Sequence, residues 1–169
     1  EYGQAQLNFS TINAGSVLYQ VEQELKPFSG ISKNKLVTVV SYKGPIYTDR
    51  GALTLLLNCL ARTVCSSQVS ERGQEVNLVS FKNKKNHIIA GVTAKGLGIV
   101  NSELEKSDEL GGFAHMPLSI SSSESGVRLA IAQQLANSLD STISAFSWRG
   151  KRGLGIEVAK SQQLSLRVN

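Results

Sequence analysis

The side chains of this chain that could do chemistry are few, and most of them point away from metals. Cys59 and Cys65 fall in a segment that reads as one helix, where their six-residue separation puts them on different faces, so buried thiols are expected rather than a disulfide. Neither has further Cys or His residues at ligand spacing, and His87 and His115 are isolated, which argues against a structural zinc site. Both histidines are expected to be solvent-exposed and neither is a credible phosphoacceptor. Asp49 reads as a helix N-cap and Asp108 as loop surface. Arg62 and Arg128 are permanently protonated and have no lone pair to give a metal, although a guanidinium can meet phosphate oxygens directly. Gly96-Leu97-Gly98-Ile99 follows a strand-like run, a glycine spacing that many folds share.

The elements that position these residues follow from periodicity. Residues 1–15 carry Gly3, Gly15 and many polar side chains and read as an incoming linker or the end of a preceding helix. Ser16 is the expected cap of a helix with Val17, Leu18, Val21 and Leu25 at helical spacing, stopped by Pro27 and Gly30. Leu36–Val40 is a β-branched strand, Gly44-Pro45 turns the chain, and Ile46–Thr48 is a second short strand. From Asp49 a helix runs with Leu53, Leu56, Leu57, Leu60 and Val64 on one stripe. Val76–Phe81 and His87–Thr93 form a hairpin around the basic turn Lys82–Asn86. Residues 100–125, with Gly111-Gly112, Pro117 and a serine run, read as a long loop of the kind that covers a ligand. A helix after Gly126 has Val127, Ala130, Ile131, Leu135 and Leu139 on its expected buried face, and strands at Ile143–Trp148, Leu154–Ala159 and Leu164–Val168 close the chain. Gly150–Gly153 is the expected loop between the first two of these. This order predicts an α+β two-layer sandwich, a mixed, mostly antiparallel sheet covered on one face by three helices.

Composition sets the outer limits. The chain has 169 residues, 41% hydrophobic and 18% charged, as expected for one globular domain with a real core. No apolar run is long enough to cross a bilayer and the N-terminus lacks a signal-peptide pattern, so a soluble, cytoplasmic piece without direct membrane insertion is expected, within a parent protein that could be anchored elsewhere. The net charge of +5 raises nucleic-acid binding, but aromatics are only 6% and the densest basic cluster sits in a hairpin turn, which reads as solvated surface. No nucleic-acid partner is expected.

Several short motifs, taken in order over residues 16–169, resemble the ATP-binding catalytic domain of sensor histidine kinases, in the superfamily that includes gyrase and the mismatch-repair ATPases. Tyr47-Thr48-Asp49-Arg50 resembles the strand-to-helix junction of that family. The helix that follows is similar to its N box, Asn-x-x-x-Asn-Ala: Asn58 matches the first Asn, while Arg62 and Thr63 replace the second Asn and the Ala. Ala94-Lys95-Gly96-Leu97-Gly98 resembles the Asp-x-Gly-x-Gly motif with its Asp lost. Phe113 resembles the F box before the ATP lid, which falls at about 100–125, and Gly126-Val127-Arg128-Leu129 resembles the helix-opening Gly-x-Gly-Leu with one glycine kept. The nucleotide-pocket positions that match the family are therefore Asn58, Gly96, Gly98, Gly126 and Leu129, with no catalytic residue among them.

What the resemblance implies is a pocket stripped of its usual contacts. The family's second N-box Asn holds Mg²⁺, and Arg62 cannot supply the oxygen ligands that Mg²⁺ demands. Ala94 removes the carboxylate that recognises adenine, a loss of roughly 1.5–3 kcal/mol. Arg128 fills the place where glycine admits phosphate to a helix N-terminus. No or weak ATP binding and no Mg²⁺ are expected. Without the resemblance, Arg62 and Arg128 are ordinary solvent-facing helix residues and Ala94 simple packing. Three functions stand open: a degenerate domain or pseudokinase acting through protein contacts with a dimerisation domain, a response regulator or another kinase; a working kinase domain with altered contacts that phosphorylates a histidine on a dimerisation domain outside this chain; and a sensor whose two arginines meet an anion without metal.

Overall fold

The computed structural model describes residues 6–28, 35–67, 75–95 and 124–161. Its elements are β1 (Ser10–Asn13), α1 (Ala14–Leu25), β2 (Lys35–Val40), β3 (Pro45–Thr48), α2 (Arg50–Ser67), β4 (Glu75–Lys82), β5 (Ile88–Ala94), α3 (Glu124–Ser138), β6 (Ser144–Trp148) and β7 (Lys151–Val158). The main sheet runs β2-β4-β5-β7-β6, and β1 pairs with β3 in a small second sheet. β2 lies parallel to β4 and the remaining pairs are antiparallel. The expected α+β sandwich, a mixed sheet with three helices, is the fold of the protein.

The start of the chain departs from its expected reading. Residues 10–13, expected inside an incoming linker, form a strand whose register sets Ser10 against Thr48 and Asn13 against Pro45. That pairing holds Asn13 extended, and its Oδ1 accepts from the backbone N–H groups of Gly15 (2.9 Å) and Ser16 (3.3 Å). Asn13 rather than Ser16 therefore caps α1, because the side chain that reaches the unsatisfied first-turn donors is the one held just outside the helix.

Asp49 caps α2 as expected. Its Oδ1 accepts from Ala52 N–H at 2.9 Å, and Oδ2 accepts from Asn8 N–H at 2.7 Å, so one carboxylate both starts the helix and ties down the segment before β1. Asp49→Ala is expected to lower stability by about 1–2 kcal/mol, measured as a urea midpoint, and Asp49→Asn to recover most of it by keeping one acceptor on the cap. Leu53, Leu56, Leu57, Leu60 and Val64 are all buried, in one core cluster with Val17, Leu18, Val21 and Leu25 of α1 and Val76, Leu78, Val92, Leu154 and Ile156 of the sheet.

The hairpin β4–β5 forms around the basic turn. Asn83 Oδ1 accepts from Lys85 N–H (3.0 Å) and His87 N–H (2.9 Å), and Lys84 and Lys85 project into solvent. Two further expectations are corrected. In α3 the buried residues are Leu129, Ala132 and Ala136; Leu135 and Leu139 pack against the core as expected, whereas Val127, Ala130 and Ile131 are exposed. Two alanines at this spacing let α3 come close to α2, and that close approach outweighs the larger apolar area of the other face. At β6–β7 the turn is Arg149-Gly150, both with positive φ (48° and 76°), the backbone of a two-residue hairpin loop. Lys151–Gly153, expected in the loop, already belongs to β7. The expected strand Leu164–Val168 lies outside the described residues.

On the sheet face opposite the core cluster, Gly91, Gly153 and Gly155 lie beneath the Phe146 ring, which also meets Phe81 at 5.3 Å between centroids. Asn77, buried on the same face, is satisfied: Lys151 Nζ donates to its Oδ1 at 2.7 Å and its Nδ2 donates to the Val37 carbonyl at 3.3 Å.

Candidate functional site

Of the pocket positions, Asn58 lies on α2 and Gly126 and Leu129 on α3, two helices that pack against each other. Asn58 and Arg62, one helical turn apart on α2, are both half-buried. Arg62 stacks on Phe28, with its guanidinium carbon 4.0 Å from the ring centroid. Thr63 is buried, and its hydroxyl donates to the Cys59 carbonyl at 2.8 Å, a contact within the helix. From α3, Gly126 and Leu129 are buried and Arg128 is half-buried.

Cys59 reports how these groups sit. Burial pushes its thiol up, and the charges of Arg128 and then Arg62 oppose that rise. Cys59 and Cys65 are both buried and are not joined in a disulfide, as their spacing predicts.

Ala94 ends β5, paired with Val76 on one side and Arg152 on the other. It is buried in the core cluster, so its methyl group serves packing. Leu129 likewise belongs to the core. Gly96, Gly98, Phe113, Asp108 and His115 lie outside the described residues, as does the expected lid up to residue 123. Glu124 and Ser125, expected at the end of the lid, are the first residues of α3. His87 is exposed, its Nδ1 3.2 Å from Glu157 Oε1. Among the described residues, no three His, Cys, Asp or Glu side chains converge as metal ligands. Phe28 was not singled out in the sequence; it lies far from Arg62 along the chain, and only the packing of α1 beside α2 brings them together.

No family model matches this sequence and no curated protein does. Solved structures do. The Acinetobacter baumannii histidine kinase AdeS is 18% identical with a TM-score of 0.64, over 94% of this chain and 71% of that one. The nucleotide-free catalytic domain of histidine kinase ThkA is 13% identical, with a TM-score of 0.65 over 91% of this chain and 97% of that domain. Full-length ShkA in complex with AMPPNP is 17% identical with a TM-score of 0.66, over 93% of this chain and 32% of that protein. The fold is that of the histidine-kinase catalytic domain.

Proposed function

We propose that this chain is a degenerate histidine-kinase ATP-binding domain that acts in two-component-type signal transduction through protein contacts, a pseudokinase with weak or no binding of Mg-ATP. What supports this reading is the motif resemblance, in which Arg62 stands in the place of a metal ligand and Ala94 in that of an adenine-recognising carboxylate, together with the burial of Ala94 in the core. An arginine at the position of a metal ligand has no lone pair to offer a divalent cation, and a buried methyl group offers adenine no acceptor.

The core of the domain remains well packed, which suits a docking role alongside a dimerisation domain, a response regulator or another kinase. Among the described residues no helix is long and apolar enough to cross a membrane. A cytoplasmic place belongs to the same proposal, and nucleic acid is not among the proposed partners.

A second reading, an active kinase domain using altered contacts, is favoured by Asn58, which stays half-buried at its N-box position on α2. Calorimetric titration with ATP, with and without Mg²⁺, separates the two. The degenerate domain gives no Mg²⁺-dependent heat. Tight binding that needs Mg²⁺, followed by phosphate transfer to a histidine on a supplied dimerisation domain, establishes the active kinase instead.

A further inference from the structure

We propose that one end of the main sheet is a docking surface for an anionic lipid bilayer, formed by Lys43, Lys82, Lys84, Lys85 and Lys160. The strand registers bring these lysines together from separate parts of the chain. Lys82 at the end of β4 stands opposite Ile88, and Ile88 opposite Val158 of β7, so these residues share one face across neighbouring strands. Lys160 follows just beyond Val158, past the bridge that sets Ala159 against Tyr47. On the other side, the Ser41 and Tyr42 N–H groups both donate to the Ser80 carbonyl, at 2.9 and 2.8 Å, which holds the segment before Lys43 against the end of β4. Lys82 Nζ lies 5.7 Å from the centre of the Tyr42 ring. Lys84 and Lys85 extend from the β4–β5 turn at the same end. Ala94 and the helix positions of the nucleotide motifs lie elsewhere, so this surface does not depend on how that pocket is read.

Positive charge is gathered here without compensation. Lys43, Lys82, Lys84 and Lys85 are exposed and Lys160 is half-buried. Among the described residues none of these lysines forms an ion pair, and the nearby carboxylate of Glu157 is 3.2 Å from His87. Loss of solvent, and then the charge of Lys82, lower the Lys160 ammonium, in keeping with their places at one sheet end. Like charges held together repel, and a surface of opposite charge relieves that repulsion.

The chemistry of the cluster favours lipid over protein or nucleic acid. Lysines are hydrated point charges on flexible stems, with no guanidinium fork to select one carboxylate or phosphate geometry. A protein interface is anchored by aromatic and arginine side chains in pockets. Tyr42, the aromatic beneath Lys82, instead packs against the core and donates its hydroxyl to the Pro45 carbonyl at 2.7 Å. Single-stranded nucleic acid asks for open rings on which bases stack. A leaflet of acidic lipids asks only for diffuse positive potential on one side of a rigid body.

Co-sedimentation of this chain with vesicles tests the proposal, with phosphatidylcholine alone in one arm and about a third phosphatidylserine added in the other. Binding is expected to the acidic vesicles only, and to fade as salt rises from about 0.05 to about 0.5 M. Lys84→Gln and Lys160→Gln are each expected to weaken partition about fivefold, and their combination with Lys82→Gln to abolish it. Lys35→Gln removes the same charge at the far end of the sheet, where Lys35 pairs with Glu75, and is expected to leave partition unchanged. Matching thermal midpoints confirm that each variant is folded. No binding to acidic vesicles, equal binding to neutral ones, or an equal loss in Lys35→Gln overturns the proposal. Displacement from the vesicles by polyglutamate or by single-stranded RNA at lower charge concentration than the lipid also overturns it, and assigns the surface to a protein or a nucleic acid instead.

Discussion

Ala94→Asp is expected to destabilise the free domain by about 4 kcal/mol at pH 7, on the basis that a fully buried carboxyl is raised by about three units at 1.36 kcal/mol each. The substitution reinstates the residue type that the resemblance places there, at a position that is now part of the core. Ala94 is buried among Val76, Val92 and other apolar residues of the core. The sign of the pH dependence follows from linkage. The unfolded carboxyl titrates near about 3.9 and the folded one well above it, so the unfolded state releases its proton first as pH rises. The ionisation part of the penalty fades below about pH 4 and grows through the interval up to the raised folded value, while the smaller cost of burying a neutral carboxyl remains at both ends. Urea unfolding of parent and variant at pH 4 and pH 7 checks this. A variant as stable as the parent at both values means that Ala94 borders solvent or a polar pocket, and that the site has kept room for adenine recognition.

Gly91→Ala is expected to cost about 3 kcal/mol, the upper part of the usual range for overpacking, and to lower expression of folded protein. A Cβ at Gly91 would stand 2.5 Å from the Leu154 carbonyl oxygen, 2.6 Å from Phe146 Cε1 and 2.9 Å from Gly155 Cα. Two of those neighbours are backbone, fixed by the β5–β7 ladder in which Gly91 opposes Gly155. The ring can move and the backbone cannot. Phe146→Ala combined with Gly91→Ala therefore recovers only the part due to the ring, and thermal unfolding of the two single variants and the double variant separates the contributions. Full recovery in the double variant shows that the ladder has more slack than its register implies.

The parts of this fold that the sequence makes legible are those where burial and periodicity agree. The α2 stripe from Leu53 to Val64 and the β4–β5 hairpin read correctly because a single face of each element decides where it goes. α3 read wrongly for the opposite reason: Val127 and Ile131 offer more apolar area than Ala132 and Ala136, yet small residues win where two helices must approach closely. β1 escaped notice because a strand of four residues, Ser10–Asn13, has too little periodicity of its own and is defined by its partner β3. Lys151–Gly153 looked like loop because glycine and charge usually mark one, and here glycine serves the close approach of Phe146.

For the site, residue types were legible and neighbours were not. The arginines, the missing Asp and the retained Asn58 can be read from motif spacing. The stacking of Arg62 on Phe28 depends on how the end of α1 packs beside α2, which no local pattern encodes. The burial of Ala94 likewise comes from its place in the sheet core.

As a proposed pseudokinase, the domain is expected not to take ATP with its metal. A crystal of the domain soaked with magnesium and a non-hydrolysable ATP analogue tests it most directly. The account predicts no octahedral cation at Asn58 and Arg62 and no adenine ring seated at Ala94. A triphosphate bridged by Mg²⁺ between α2 and α3, with its base against the end of β5, would contradict it.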